Sequence, residues 1–514
     1  MPKLSATTHA KAKHPTTILQ FGEGNFLRAF ADQMIDSANK AGVMDDGIAV
    51  VTPIPGKSVV GDILDNQDGL YHVVLEGVRN GEPIRKIELV ESINGVTSAH
   101  DQFNEYRDLY LNPDLKAVIS NTTEAGITFV ADDDITANPP ASFPAKVTAL
   151  LFDRWQHFDG AVDKGLVFAP VELIENNGST LREYVIRHAE NNNLPQEFIH
   201  WVKGSNSFHN TLVDRIVPGF PRDEIGKITE EIGFNDDAVV KGEYFGSWAI
   251  DGGVDDNDGM VSARPNIREI LPLDEAGQPV EFMADIRPYR AKKVRILNGL
   301  HTAMAAIGLL SGAETVGEAV AKPEIQKYLT VLLTEEILPS IENNSALMGD
   351  DTPESLEAFA AKIVERFGNP YLRHNLGDIA LNSISKWQTR NLPVVLDLWA
   401  NGQPADAEIL AFAALCVLYA GGGVGADAVP AGFEVRDDAD LVANMRAAFP
   451  DGNAGSTVAN IGALTDWFGC IIKHAGFFAE DQQGDADGLA HEAAGYANTI
   501  LTEGIDAALA EITD

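Results

Sequence analysis

The chain has 514 residues, of which 45% are hydrophobic and 22% are charged. This composition excludes a largely disordered, collagen-like or coiled-coil protein, and the length predicts two to four domains. Acidic residues number 76 against 38 Lys and Arg, which gives a formal net charge of −38. Such a surface repels phosphate backbones and anionic membranes, so neither a nucleic acid nor a membrane is expected as a partner.

The cysteines and the apolar runs predict a cytoplasmic protein. Cys416 and Cys470 are too few for a disulfide framework, and both lie in apolar runs that predict buried thiols. The basic N-terminal residues are not followed by the apolar stretch of a signal peptide. In the longest uncharged run, Ile409–Ala426, only about twelve residues look helical, which is too short to cross a bilayer. We therefore predict a buried helix there.

The N-terminal half alternates predicted strands with predicted helices. A polar, mobile lead-in of residues 1–16 precedes a strand at Thr16–Phe21 and a helix over residues 25–40. A further helix is predicted at Ala145–Phe158. Further strands are predicted at Ile48–Pro53, Tyr71–Glu76, Lys86–Ile93, Leu115–Asn121 and Gly165–Leu173, the second and third of these as a hairpin. This alternation predicts an α/β fold with a parallel sheet.

From about Asp285 onward the pattern becomes helical, and we place a domain boundary there, between residues 17–285 and 286–514. Acidic, Gly-containing loops are predicted at Asp251–Asp258 and Glu480–Gly488. The predicted helices of the second domain are Lys293–Leu310, Ile325–Ile341, Pro353–Phe367, Ile379–Trp387, Ala405–Ala420, Asp438–Phe449 and Thr457–Ala475.

Two glycines, Gly22 and Gly24, lie where the first predicted strand passes into the first helix. Glycines at this place let backbone N–H groups approach a pyrophosphate, and the helix N-terminus adds a favourable dipole. Arg28 is predicted to reach a phosphate; the alternative for the segment is a plain turn. The candidate cofactor-binding residues are Ile18, Leu19, Gln20, Phe21, Gly22, Glu23, Gly24, Asn25, Phe26, Leu27 and Arg28.

The choice between NAD and NADP stays open at the residue level. The second predicted strand is followed by Thr52 and Lys57 rather than by the acidic residue that usually binds the ribose. Asn121 and Thr122 follow another predicted parallel strand, at the edge of the sheet where ligands of α/β proteins bind. They are further cofactor-binding candidates, for the nicotinamide ribose; the alternative is an Asx or Ser/Thr turn.

Lys293, Asn298 and His301 are the candidate catalytic residues. On an α-helix they lie at about 0°, 140° and 80°, within one half of the helix surface. A buried lysine can act as a general acid or base, and the Asn and His side chains can hold a substrate oxygen. The alternative is a surface lysine with a histidine satisfied in the core.

Cationic residues concentrate in one short segment of this acidic chain. His374, Lys386 and Arg390 lie close together in sequence and suit an anionic substrate; the alternative is a set of solvated helix faces. The sequence has no HExxH, paired CxxC or EF-hand pattern, so no metal is predicted.

Together these motifs resemble the polyol-specific long-chain dehydrogenases, the mannitol dehydrogenase family. The segments that carry the resemblance are FGEGNFLRAF, SNTTEAG, KVRILNGLHTA and NPYLRHNLGDIALNSISKWQTRNLP. The resemblance implies a Rossmann-type NAD-binding domain, a mostly helical catalytic domain and an active site between them. It also implies that Lys293 is the catalytic acid/base, that Asn298 and His301 hold the oxyanion, and that Asp214 and Lys386 contact the substrate.

Within the family, the stretches PVELIENNGSTLREYVIRHA and KVRILNGLHTA resemble the branch that interconverts D-tagaturonate and D-altronate with NAD. Leu173 stands where mannitol dehydrogenases have an asparagine, which favours a sugar-acid substrate. Reduction of fructuronate, or oxidation of mannitol or mannitol 1-phosphate, is the alternative within the family. A nucleotide-sensing protein without catalysis is the alternative outside it. The oligomeric state stays open.

Overall fold

The computed structural model describes residues 1–56, 58–123, 125–253, 264–349, 351–371, 373–421, 433–450 and 460–513. The chain forms two compact units: Met1–Gly77 with Pro83–Ile286, and Val78–Glu82 with Arg287–Asp514. Among the residues singled out from the sequence, Lys57, Glu124 and Leu372 lie outside the described residues, as does the predicted loop from residue 254 onward.

The first unit is built on a six-stranded sheet. Its order is β5-β2-β1-β6-β7-β8, and every neighbouring pair is parallel. Two three-stranded sheets accompany it, in the orders β10-β3-β4 and β12-β11-β9. The strands are β1 (Thr16–Phe21), β2 (Gly47–Thr52), β3 (Tyr71–Arg79), β4 (Glu82–Val90), β5 (Ile93–Ser98), β6 (Ala117–Ser120), β7 (Val167–Pro170), β8 (Ser207–Phe208), β9 (Thr211–Asp214), β10 (Val240–Glu243), β11 (Ser247–Asp251) and β12 (Val280–Met283).

The parallel sheet has a core on each face, which explains why its strands read as continuous apolar runs. Along β1, Ile18 packs in one core, and Leu19 and Phe21 pack in the other. The chain adds β2 and then β5 on one side of β1. It then adds β6, β7 and β8 on the other side. The carboxyl ends of β1 and β6 therefore flank the switch point at which α/β sheets bind ligands.

The first helix differs from its prediction, because it is broken after one turn. Phe30 leaves helical geometry with φ −133° and ψ −88°. The freed carbonyls of Arg28 and Ala29 accept hydrogen bonds from Tyr71 Oη (2.8 Å) and Arg215 Nη1 (2.5 Å). The helices of this unit are α1 (Asn25–Arg28), α2 (Ala31–Lys40), α3 (Val59–Asn66), α4 (Phe103–Leu111), α5 (Phe143–His157), α6 (Asn177–Asn191), α7 (Gln196–Ser205), α8 (Ile225–Ile232) and α9 (Ile267–Ile270).

Contrary to the prediction of a mobile lead-in, the N-terminal residues pack against the first unit. Leu4 is fully buried, and its N–H donates to the carbonyl of Asn235 at 3.0 Å. The N–H of Ala6 donates to Asp68 Oδ2 at 2.8 Å. A buried leucine and several long-range hydrogen bonds, including these two, therefore hold a segment whose polar composition resembles a tail.

The second unit is helical. Its helices are α10 (Arg287–Lys293), α11 (Leu300–Leu310), α12 (Val316–Val320), α13 (Pro323–Val331), α14 (Leu338–Glu342), α15 (Ser345–Met348), α16 (Pro353–Phe367), α17 (Leu376–Ile379), α18 (Ser383–Arg390), α19 (Leu392–Ala400), α20 (Asp406–Ala420), α21 (Ala439–Ala447), α22 (Ile461–Ala475), α23 (Gln483–Thr502) and α24 (Ile505–Thr513). Two π-helical segments, Val294–Gly299 and Leu332–Ile337, join α10 to α11 and α13 to α14.

Three predictions for this unit are wrong. The helix predicted at Ile379–Trp387 is divided, because Asn382 adopts a left-handed conformation with φ 53°. The loop predicted at Glu480–Gly488 is helical; it forms a 3₁₀ turn and the start of α23. Cys470 is exposed, because it lies on the outer face of α22, whereas Cys416 is fully buried.

The buried helix predicted in the longest uncharged run is confirmed as α20. Its residues from Ala407 to Tyr419 are buried around the whole circumference of the helix. Trp387 of α18 stacks on Phe412 of α20 at 4.4 Å between ring centroids. No helix in the described part of the chain has both the length and the hydropathy that a membrane span requires.

Candidate active site

The two glycines of the turn after β1 have different surroundings. Gly22 has φ +108°, and a Cβ there would lie 3.0 Å from the carbonyl oxygen of Asn121. Its N–H donates to the carbonyl of Val51 at 2.9 Å. A Cβ on Gly24, by contrast, would meet no described atom within 4 Å. The first glycine thus permits the tight turn, and the second leaves open space beside the backbone.

The Arg28 side chain is buried and bonded within the protein. It donates to the carbonyls of Glu23 (3.2 Å) and Ala238 (2.5 Å) and to Asn25 Oδ1 (2.7 Å). The guanidinium also lies 5.5 Å from the centre of the Tyr71 ring. These hydrogen bonds fix the glycine turn, and the contact of Arg28 with a phosphate stays a prediction.

The loop after β6 is held by a buried carboxylate. Glu172 accepts hydrogen bonds from the Thr122 backbone N–H and Oγ1, both at 2.8 Å, and from Ser120 Oγ at 3.0 Å. Burial raises the pKa of Glu172, and these hydrogen bonds oppose that shift. The N–H of Asn121 donates to the carbonyl of Phe21 at 3.0 Å. Asn121 and Thr122 are thus fixed beside the glycine turn.

The other candidate cofactor residues divide into buried and accessible groups. The β1 side chains are in the cores, except that Gln20 Nε2 donates to the carbonyl of Gly22 at 3.1 Å. Leu27 is buried, and Phe26 stacks on Phe30 at 4.8 Å between ring centroids. Glu23, Gly24 and Asn25 remain partly or fully exposed. Contact with a dinucleotide is therefore expected from the backbone of residues 22–25 rather than from β1 side chains.

The three candidate catalytic residues lie along a helix that changes its pitch. Lys293 is the last residue of α10, Asn298 lies in the π-helical segment Val294–Gly299, and His301 lies in the first turn of α11. All three are half-buried, whereas Arg295, Ile296, Leu297, Gly299 and Leu300 are buried. The π-helix bonds residue i to i+5, so Lys293 and Asn298 lie more nearly above one another than the α-helical spacing predicted.

Side chains from distant elements anchor this π-helical segment. Asn391 Nδ2 donates to the carbonyl of Gly299 (3.2 Å) and to Glu408 Oε2 (2.8 Å), and both Asn391 and Glu408 are fully buried. Thr302 Oγ1 donates to the carbonyl of Asn298 at 2.8 Å. Arg295 donates to Ser340 Oγ at 2.9 Å. The backbone around Asn298 is therefore fixed on the side that faces the core.

An aromatic ring and several basic side chains lie near His301. Its ring lies 5.1 Å from the His374 ring and 4.4 Å from Phe367, measured between centroids. Burial, followed by the charges of His374, Arg366 and Arg390, lowers the pKa of His301 well below its ordinary value. The imidazole of His301 is thus neutral at pH 7, with one N–H donor available in a positive environment. Burial first, and then Arg366, also lowers the pKa of His374.

The other residues that are predicted to bind the substrate already have contacts within the protein. Arg390 Nη1 donates to Thr302 Oγ1 at 3.1 Å, which joins it to the anchor of Asn298. Lys386 Nζ donates to the carbonyl of Ile379 at 2.8 Å, and burial lowers its pKa. Asp214 lies in the first unit, at the end of β9 opposite Ser247 of β11. The structure thus brings His301, His374 and Arg390 into one electrostatic environment.

Sequence reasoning missed four residues of this region: Glu172, Arg366, Asn391 and Glu408. Arg366 lies only eight positions before His374, so the cationic segment could have been extended to include it. Glu172, Asn391 and Glu408 gave no local signal, because their partners are at least 17 positions away in the chain.

Comparison with known proteins identifies the family. A model of the mannitol dehydrogenase Rossmann domain matches residues 16–265, and a model of the mannitol dehydrogenase C-terminal domain matches residues 285–477. The chain is 41% identical to altronate oxidoreductase of Shigella flexneri over 424 residues, covering 82% of this chain and 83% of that relative. It is 37% identical to altronate oxidoreductase of Yersinia pestis bv. Antiqua over 500 residues, 97% of each chain. The chain belongs to the mannitol dehydrogenase family.

Solved structures agree on the fold. Pseudomonas fluorescens mannitol 2-dehydrogenase, in a ternary complex with NAD and D-mannitol, matches with a TM-score of 0.66 at 21% identity, covering 99% of this chain and 96% of that one. A D-sorbitol dehydrogenase in substrate-free form matches with a TM-score of 0.76 at 18% identity, covering 99% and 100%. The predicted α/β fold with a Rossmann-type domain and a helical C-terminal domain is confirmed.

Membership of the mannitol dehydrogenase family also gives the class of activity. The chain is a dehydrogenase/reductase that acts on a CH–OH group, and its Rossmann domain supports a nicotinamide dinucleotide as cofactor. The family resemblance stated from the sequence is confirmed, and the alternative of a nucleotide sensor without catalysis is set aside.

Proposed function

We propose that this mannitol dehydrogenase family member interconverts D-tagaturonate and D-altronate, with NAD as the cofactor. The relatives named altronate oxidoreductase, which match up to 97% of the chain, support this substrate class. The observation that carries the proposal is the pair of arginines Arg366 and Arg390, whose charges act on His301 in a protein of net charge −38. An anionic substrate requires such a local reversal of charge.

In this proposal, residues 17–285 form the cofactor domain. The open space beside Gly24 and the close approach of Gly22 to Asn121 fit a dinucleotide whose pyrophosphate contacts backbone N–H groups. When bound, the reduced nicotinamide supplies a hydride to the ketone carbon of the substrate. The residues that hold the dinucleotide are those of the glycine turn, from Gly22 to Asn25, and of the β6 loop, Asn121 and Thr122.

Residues 286–514 form the catalytic domain of the proposal. The Lys293 ammonium donates a proton to the alkoxide oxygen that develops as the ketone is reduced, and takes it back in the direction of oxidation. Its neighbour Lys292 is buried and donates to Asp351 Oδ2 at 2.6 Å, so Lys292 is occupied by a structural ion pair. Of the two neighbouring lysines, Lys293 is the one that is half-buried.

Asn298 and His301 stabilise the same oxygen by donating hydrogen bonds to it. A neutral His301 is suited to this task, because it donates through one ring nitrogen without competing with Lys293 for the proton-transfer role. The backbone of Asn298 is fixed through Thr302 and through the Gly299–Asn391 bond. Preorganised donors of this kind avoid the cost of reorientation during the reaction.

The substrate carboxylate binds to the cations Lys386 and Arg390 and accepts a hydrogen bond from His374, whose lowered pKa makes it a neutral donor, while Arg366 contributes to the field. Asp214 contacts a substrate hydroxyl, as the family resemblance implies. Arg offers a bidentate fork and Lys a point charge, and both are suited to a carboxylate. A neutral polyol would gain nothing from these charges, which is why the proposal favours a sugar acid over mannitol.

A direct assay tests the proposal. The protein is mixed with NADH and D-tagaturonate, and the loss of NADH absorbance is followed while the product is identified by chromatography. We expect NADH oxidation with formation of D-altronate, and the reverse reaction with NAD and D-altronate. Reduction of fructuronate or fructose without any turnover of tagaturonate would contradict the proposal.

A further inference from the structure

Glu23, the residue between the two glycines of the turn, is held by a side chain that follows β2. Ser58 is the N-cap of α3: its Oγ accepts the N–H of Gly61 at 2.9 Å and donates to Glu23 Oε1 at 2.6 Å. The backbone carbonyl of Glu23 accepts from Arg28 Nε at 3.2 Å. Both the backbone and the carboxylate of Glu23 are thus fixed, while the residue stays half-exposed.

The Glu23 carboxylate bonds Ser58, which lies just after the segment where this sequence lacks an expected acidic residue. In dinucleotide-binding folds, an acidic residue at the end of the second strand accepts a hydrogen bond from the adenosine ribose. Here β2 ends at Thr52 and is followed by Pro53, Ile54, Pro55 and Gly56, and none of these residues is acidic. Because β1 and β2 are parallel neighbours, the turn after β1 and the start of α3 lie at the same edge of the sheet.

We propose that Glu23, positioned by Ser58, takes the place of the missing acid: it binds the adenosine ribose hydroxyls and excludes the 2′-phosphate of NADP. The inference rests on the proposed function, in which the glycine turn holds the dinucleotide. An ionised carboxylate accepts a hydrogen bond from a 2′-hydroxyl, whereas it repels a phosphate at the same position. Selection of NAD over NADP then comes from the glycine turn rather than from the end of β2.

Two exposed apolar side chains flank Ser58 in the sequence, and in this proposal they complete the adenosine site. Ile54, just after β2, is 71% exposed, and Val59, the first residue of α3, is 70% exposed. They are the two most exposed large hydrophobic residues described in the chain. An adenine ring would remove this apolar surface from water, which favours binding without distinguishing NAD from NADP.

Equilibrium binding tests the inference without relying on turnover. NADH and NADPH are titrated separately into the wild type, Glu23→Gln, Ser58→Ala and Ile54→Ala, and binding is followed by nicotinamide fluorescence. The matched control is Glu197→Gln, which removes one exposed negative charge from α7. This helix precedes β8, the outermost strand of the sheet on the side away from β2. Circular dichroism checks that each variant is folded.

The wild type is expected to bind NADH more tightly than NADPH. Glu23→Gln should narrow the ratio of the two dissociation constants by about tenfold or more, the scale of a hydrogen bond to a charged group. Ser58→Ala should narrow the ratio by less, Ile54→Ala should weaken both cofactors equally, and Glu197→Gln should leave the ratio unchanged. An unchanged ratio in Glu23→Gln, or a wild type that prefers NADPH, would overturn the inference. A wild type that binds neither cofactor would overturn the proposed function itself.

Discussion

Lys292 and Lys293 are chemically identical neighbours with different surroundings, which makes them a matched pair. Lys293→Ala should lower kcat by about 10²–10⁴-fold, the range for loss of a general acid or base, while NADH binding persists. Lys292→Met removes the ion pair with Asp351 and should lower the melting temperature, with kcat changed only a few-fold. Steady-state kinetics and thermal unfolding of both variants check this. Near-normal turnover in Lys293→Ala would remove Lys293 from the mechanism.

Arg390 has two possible tasks, because it lies in the cationic cluster and also bonds Thr302. Arg390→Ala should raise KM for D-altronate by roughly 10- to 150-fold, the equivalent of about 1.5–3 kcal/mol for a hydrogen bond to a charged group, and should affect D-mannitol less. Thr302→Val is the matched control, since it removes the hydroxyl but keeps the charge. Equal losses for acid and polyol in both variants would show that Arg390 only positions Asn298.

Asp32 gives a prediction about pH. Burial raises the pKa of Asp32 to about 7, partly offset by a hydrogen bond from Tyr71 and by the charge of Arg28. The folded protein therefore holds this proton more tightly than the unfolded chain, in which Asp titrates near pH ~4. Its contribution to stability is complete below that pH and is lost as pH rises towards 7. Asp32→Asn should make the melting temperature less dependent on pH between 5 and 8; parallel curves for variant and wild type would contradict this.

At the scale of elements, the π-helical geometry of Val294–Gly299 could not be predicted from sequence periodicity. Periodicity predicts that residues 293–310 are helical, and this prediction is confirmed. Asn391 bonds the carbonyl of Gly299, the last residue of this segment, from 92 positions away, and no local pattern reveals such a partner. The same limit explains the break at Phe30, where Tyr71 and Arg215 take the freed carbonyls.

The hydrogen bond from Asn391 to the carbonyl of Gly299 can be tested by enzyme kinetics. Asn391→Ala removes the side chain that donates to Gly299, and should lower kcat at least tenfold while the affinity for NADH in the other unit stays unchanged. Glu408→Gln keeps a neutral acceptor for Asn391 and should preserve kcat. Kinetics are measured on protein shown to be folded by circular dichroism. A folded Asn391→Ala variant with wild-type kcat would show that the bond is merely structural.

At the scale of the whole molecule, the α/β pattern of the first unit and the helical pattern of the second were predictable, because apolar periodicity records burial. The strands β5, β8, β9, β10, β11 and β12 were not predicted; most of them are short, and they pair with segments that are distant in the chain. The net charge of −38 also acts at this scale. It repels a carboxylate at long range, although salt screens the repulsion beyond about 8 Å at physiological ionic strength. Recognition of a sugar acid therefore depends on local cations.

The ratio of kcat/KM for D-altronate to kcat/KM for D-mannitol, measured with NAD on the wild-type protein, tests this account most directly. A site that reads the carboxylate through His374, Lys386 and Arg390 predicts a ratio of at least about 10 in favour of altronate, the effect of one charged hydrogen bond. A ratio near 1, or a preference for mannitol, would contradict the account.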